Sequence, residues 1–174
     1  MIIRQEEPKD FSRIYELVKT AFQTAKVSSG EEQDLVERLR KSSGYIPELA
    51  MVAEEEDGRL VGYIMLTRMY VHGDDGKKYP TLLIAPLAVA IEYRDKGIGS
   101  ALVKESLWAA AELDYRSVFL VGDPKYYKKL GFRAARKFGI THPGIPAEYV
   151  MACELSPDAL KGIHGTVDCR GLDE

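Results

Sequence analysis

The chain has 174 residues, with 24 lysines and arginines against 27 aspartates and glutamates, for a formal net charge of −3. A chain of this size buries roughly 68–70% of its unfolded surface, so one domain with one sizeable core is expected rather than two. A 45% hydrophobic content at low net charge excludes a disordered chain, and the mild acidity argues against a nucleic-acid binder, which would carry a basic stripe.

Ile2-Ile3 reads as a short first strand. Pro8 and Asp10 open a helix in which Ile14, Leu17, Val18, Ala21 and Phe22 recur at three- and four-residue spacing on one apolar face. Ser28, Ser29 and Gly30 form a break. A second helix is predicted over Glu31–Lys41, with Leu35, Val36 and Leu39 inward, ended by Gly44 and Pro47. Two strands follow, Leu49–Glu54 and Leu60–Val71. Asp57-Gly58 between them predicts a tight primed hairpin turn, because both residues accept positive φ. The acidic run Glu54–Asp57 sits at that turn as a solvated end. His72 reads as a loop residue, and Asp74-Asp75-Gly76 makes the next turn.

From Thr81 to Ile91 the chain is continuously apolar, as in a strand buried on both faces. A helix over Gly97–Leu113 and a second buried strand at Val118–Val121 complete a βαβ unit, so these two strands should be parallel with a right-handed crossover. A short helix near Lys125–Leu130, a strand near Phe132, a loop over Gly139–Pro146 and a strand over Ala147–Leu155 follow. In that last strand Tyr149, Met151, Cys153 and Leu155 share a face, which makes Cys153 a small core residue. The expected fold is α/β: a mixed, mostly antiparallel central sheet with one parallel pair, and helices on both faces. Residues 1–155 read as the domain and 156–174 as a tail of unassigned role.

Two cysteines, Cys153 and Cys169, make neither a disulfide framework nor a zinc site, and His72 has no partner at ligand spacing, so no metal is expected. No window approaches ~18 uncharged apolar residues, and Met1–Asp10 lacks the apolar stretch of a secretory signal. A reducing cytoplasm is the expected location, without membrane or nucleic-acid partners.

The chemistry concentrates in Arg94-Asp95-Lys96-Gly97-Ile98-Gly99-Ser100, between a buried strand and a helix. Its two glycines leave backbone N–H groups bare at the positive end of the helix, a cradle for a diphosphate, with Arg94 as an added cation. A dinucleotide fingerprint would need glycine where Leu102 stands, and no Gly-Lys-Ser/Thr triplet of a Walker loop occurs. Upstream, Pro86 interrupts the buried strand. Proline cannot donate to a ladder, so a bulge there should splay the parallel pair and expose backbone groups to a linear, amide-bearing ligand. Pantetheine joined to a diphosphate, as in coenzyme A, has that shape.

These residues resemble the GCN5-related N-acetyltransferases. Arg94, Gly97 and Gly99 match the family's Arg/Gln-x-x-Gly-x-Gly/Ala motif, and Tyr126-Tyr127-Lys128-Lys129-Leu130-Gly131-Phe132 matches its second motif. Leu83-Ile84-Ala85-Pro86-Leu87-Ala88-Val89 resembles a bacterial subgroup of that family. The resemblance implies the acyl-CoA N-acyltransferase fold, with acetyl-CoA held by Leu87, Ala88 and Val89 along the pantetheine and by Arg94, Asp95, Lys96, Gly97, Ile98, Gly99 and Ser100 at the diphosphate. It implies Tyr127 as the acid that protonates the leaving thiolate, while Tyr126 reads as a packing aromatic. The acceptor would be a primary amine of a small molecule or peptide, attacked in a ternary complex, and homodimers are common in the family. Two departures stand out. The bulged strand carries no carboxylate or histidine to serve as base, and the place of a frequent asparagine is Gly122-Asp123. Glu31, Glu32, Glu54 and His72 are the candidate bases; Glu31, Glu32, Tyr45 and Tyr149 are the candidate acceptor contacts. The missing base keeps a non-catalytic acyl-CoA sensor as the alternative.

Overall fold

The computed structural model describes residues 1–24 and 30–168. Ser28 and Ser29 of the expected break, and Cys169, lie outside the described residues. The chain opens with β1 (Ile2–Gln5), makes a 3₁₀ turn at Pro8–Asp10 and enters α1 (Phe11–Phe22), whose Ile14, Val18 and Ala21 are buried. α2 (Glu32–Arg40) then sends Val36 and Leu39 inward. Asp10 is wholly buried, and its carboxylate accepts from Arg4 at 2.8 and 3.0 Å, from Arg13 at 2.8 Å and from the Glu7 N–H at 2.8 Å. This clamp fixes the start of α1 to β1. A second buried carboxylate anchors α2. Glu6 accepts from Arg40 at 2.8 and 3.1 Å, from Tyr45 at 2.6 Å and from Tyr63 at 2.9 Å.

β2 (Tyr45–Glu54) and β3 (Leu60–Gly73) form the first hairpin. β2 begins before the expected Leu49, because a register shift between Tyr45 and Ala50 absorbs Pro47 in an exposed bulge. The turn also differs from the primed type. Gly58 alone has positive φ, +86°, and its N–H bonds to Glu55 O at 2.9 Å, so the chain turns over four residues with a glycine bulge. β3 continues through His72, which is an exposed strand residue paired with Lys78 rather than part of a loop.

β4 (Lys78–Val89) pairs with β3 from its first residue. The Gly73 N–H to Lys77 O bond sets the ladder's parity, so the place where Pro80 lacks an N–H faces away from β3. α3 (Ile98–Glu112), β5 (Ser117–Val121), α4 (Pro124–Lys128), β6 (Arg133–Ala134), β7 (Ile140–Thr141), β8 (Val150–Glu154) and β9 (Gly165–Val167) complete the described chain. Tyr149 belongs to a 3₁₀ turn over Ala147–Tyr149 and is exposed, so it does not share the buried face of Met151 and Cys153.

Among the described residues the sheet runs β1-β2-β3-β4-β5-β8-β6, antiparallel except for β4 beside β5. A further short parallel ladder joins β7 to β9 at Ile140–Thr141. α1 and α2 cover one face through Ile14, Val18, Val36 and Leu39 against Val52, Tyr63 and Met65. α3 covers the other through Ile98, Leu102 and Val103 against Val61, Ile64 and Leu82. Residues 156–168, set apart at sequence level as tail, are packed: Leu160 and Val167 join a third apolar cluster with Met69 and Phe119, and β9 pairs with the end of β3.

Candidate functional site

The parallel pair sets the site. β4 and β5 pair only at Leu82 with Val118 and at Leu83 with Phe119. Just below that contact Thr81 Oγ1, fully buried, lies 2.7 Å from Ser117 Oγ and 3.0 Å from Ser117 O, pinning the two strands at the base of a V. Above it they part. β4 holds the extra residue of a bulge opposite Met65, where Ile64 faces Leu87 and Leu66 faces Ile84, and the bulge contains Ala85 and Pro86. Past the bulge, Ala90 donates to Val61 O at 2.9 Å, and parity directs the backbone groups of Ala88 to β3 as well. The N–H and C=O groups of Leu87 and Val89 therefore face the open side of the V.

The second wall is the start of α3. Asp95 and Gly97 both take left-handed φ, 63° and 82°, and α3 has no side-chain N-cap. Among the described residues, no N–H from Asp95 to Ser100 donates to another part of the chain; the first helical bond runs from Ala101 N to Gly97 O at 3.0 Å. Successive bare N–H groups at a helix's positive end form a concave anion site. α3 can lie this close to the sheet because Gly62 sits beneath it: a Cβ on Gly62 would stand 2.8 Å from Leu102 Cδ1 and 3.0 Å from Ile98 Cγ2.

Both walls face one cavity of about 620 Å³. Of the expected ligand-holding residues it is lined by Leu87, Ala88, Val89, Arg94, Asp95, Gly97, Ile98, Gly99 and Ser100. Lys96 is not in the lining, and its ammonium lies 5.1 Å from the centre of the Tyr93 ring. Arg94 reaches α1 while lining the cavity. Its guanidinium donates to Ala21 O at 2.7 Å and to Thr24 Oγ1 at 3.0 Å, where it neutralises the negative end of α1. Ala21 and Phe22 thereby become part of the cavity wall. Sequence patterning had no means of finding that contact, which spans more than seventy positions.

The tyrosines separate. Tyr126 lines the cavity, with its hydroxyl 3.2 Å from Ser100 Oγ and 2.8 Å from where a Gly99 Cβ would lie. Tyr127 lies outside that lining, half-buried, with its ring against Gly122 and edge-on to Phe132 at 5.9 Å. Burial, reinforced by the charges at Tyr126 and Asp123, pushes the Tyr127 phenol up to about 12. Asp123 caps α4, accepting from Lys125 N at 2.9 Å.

The other candidates disperse. Glu54 is ion-paired to Arg4 at 2.7 Å, and Tyr45 donates to Glu6. His72 lies on the far half of β3, while Glu31 and Glu32 stand at the start of α2. None of these, nor Tyr149, lines the cavity. Burial raises the Cys153 thiol, which keeps it an inert core residue. The described residues contain no cluster of three metal-ligating side chains, and no helix among them is long and apolar enough to cross a membrane.

A sheet split between two parallel strands, with a bare helix N-terminus at the mouth of the split, defines the class of acyl-CoA N-acyltransferase folds. The family model for the acetyltransferase (GNAT) domain matches residues 2–135. The chain is 33% identical over 170 residues to the uncharacterized N-acetyltransferase YhbS of Escherichia coli K12, covering 97% of this chain and 95% of that protein. It superposes on the crystal structure of Escherichia coli YhbS in complex with CoA with a TM-score of 0.84 at 31% identity, covering 96% and 88% of the two chains. On a GNAT family acetyltransferase from Brucella melitensis in complex with acetyl-CoA the TM-score is 0.80 at 25% identity, with 99% and 97% covered. The chain belongs to the GNAT acetyltransferase family.

Proposed function

We propose that this protein transfers the acetyl group of acetyl-CoA to a primary amine of a small molecule or peptide, by direct attack within a ternary complex. One observation carries the reading: the unpaired edge of β4 at Leu87 and Val89 and the residues with bare N–H groups at Asp95 and Gly97–Ser100 line a single cavity. The first fits the amides of pantetheine and the second the diphosphate, and the CoA and acetyl-CoA complexes of the two similar structures support it. The amine nitrogen attacks the thioester carbon, the C–S bond breaks, the thiolate takes a proton from Tyr127, the acceptor's surplus proton leaves to water, and water returns a proton to the Tyr127 phenolate. Holding donor and acceptor together supplies much of the rate.

Thermal shift with acetyl-CoA tests binding. Saturation at 100 times Kd should stabilise the fold by about 2.7 kcal/mol, and no shift at millimolar acetyl-CoA refutes the proposal. Mass spectrometry of a pool of amines and peptides tests turnover. The second reading, an acyl-CoA sensor, is favoured by one feature: Asp95, within the diphosphate loop, is the only carboxylate lining the cavity among the described residues. A single acetylated product eliminates it.

A further inference from the structure

Tyr126 reads from the sequence as a packing aromatic, yet its hydroxyl stands in the cavity wall beside Ser100. Neighbouring residues on a helix diverge by about 100°, so the turn that commits Tyr127 to Gly122 and Phe132 commits Tyr126 to the other side. Tyr126 remains 38% exposed, so burial does not explain its placement. Its ring is held edge-on by Tyr127 at 4.9 Å, which fixes the hydroxyl without anchoring it. The only hydrogen-bond partner of that hydroxyl among the described residues is Ser100 Oγ, at 3.2 Å, beyond the usual 2.7–2.8 Å of a good O–H···O bond. Two hydroxyls facing one another use at most one of their two protons, so a donor is left over. It lies beside Gly99, in the second position of α3, where the helix's positive end favours an acceptor-only ligand.

We infer that Tyr126 and Ser100 form a hydroxyl pair that binds the diphosphate of the acyl donor, and that Tyr126 serves donor binding while Tyr127 serves the chemistry. The inference rests on the acetyl-CoA reading above. It also supplies a second reason for glycine at position 99, since any side chain there would displace the Tyr126 hydroxyl.

The test is Tyr126→Phe, which keeps the ring and its contact with Tyr127. KM and Kd for acetyl-CoA should rise roughly tenfold, the usual loss for one hydrogen bond to a charged group, with kcat changed by less than about twofold. With S-acetylpantetheine, a donor that has no diphosphate, kcat/KM of the variant should equal that of the parent protein. Ser100→Ala should weaken acetyl-CoA binding in the parent and weaken it less in the Tyr126→Phe background. An equal loss with both donors, a fall in kcat at unchanged KM, or no change at all would overturn the assignment. If the unmutated protein gains no thermal stability from acetyl-CoA, the parent reading itself falls, and that result is distinct from any of these.

Discussion

Replacing Tyr127 by Phe removes one oxygen and leaves the ring that packs on Gly122 and Phe132. No hydrogen bond from that hydroxyl exists among the described residues, so the melting temperature should stay within about 2 °C. Catalysis should respond strongly. The phenol titrates at about 12, against about 8.5 for an ordinary thiol. Full transfer to a water-solvated thiolate would be uphill by ~3.5 units, or ~5 kcal/mol. A thiolate formed in the same partly dry cleft is itself a stronger base, since burial penalises its charge too. On the proposed role Tyr127 donates to the thiolate as the C–S bond breaks, so its loss should cost roughly 10²–10³ in kcat with little change in KM for acetyl-CoA. The pH profile adds an independent readout. The working form is the neutral phenol, which survives until pH rises through about 12. Steady-state rates should thus climb with amine deprotonation and show no falling limb from this residue between roughly pH 6 and 10. Unchanged turnover in Tyr127→Phe, or a descending limb near pH 8–9 that the substitution abolishes, would refute the reasoning.

Three further outcomes are expected. Gly62→Ala places a methyl 2.8 Å from Leu102 Cδ1 under the start of α3, so it should lower stability by about 1–3 kcal/mol and weaken acetyl-CoA binding without touching the ligand, as thermal melts with and without acetyl-CoA would reveal. The Arg4 guanidinium, helped by the Glu7 N–H and Arg13, holds the Asp10 carboxyl down to about 2. Its stabilisation of about 2 kcal/mol is complete above the unfolded value near ~4 and is lost as pH falls through about 2, so urea midpoints should drop across that window and stay flat there in Asp10→Asn, which is less stable at neutral pH. Arg94→Ala should speed amide hydrogen exchange in the last turn of α1 and raise KM for acetyl-CoA several-fold, because the cavity wall at Ala21 and Phe22 loses its clamp; protection equal to the parent's would show that α1 holds itself.

Much of the site was readable before folding because its parts are local. The bare N–H groups of Asp95–Ser100 come from two left-handed positions and an uncapped helix start, all within six residues, and Pro86 marks its own strand as bulged. What escaped were contacts between distant segments. Arg94, expected beside the diphosphate, lines the cavity and also reaches across to the end of α1. Tyr126 and Tyr127 are chemically the same, and only the orientation of α4 against the sheet separates them. The three residues of β9 carry no periodicity of their own and become a strand only because the end of β3 offers an unpaired edge.

The amino-acid sequence by itself determined the order of the longer strands and helices, the parallel βαβ pair and the glycine loop at its crossover, because propensity, periodicity and turn chemistry act over a few residues. Tertiary structure alone decided how far β4 and β5 separate, which wall Arg94 supports and which tyrosine reaches the cavity. Those outcomes depend on ladder parity, on the depth of α3 over Gly62 and on the charge at the end of α1, and each of these exists only once the sheet has closed its register.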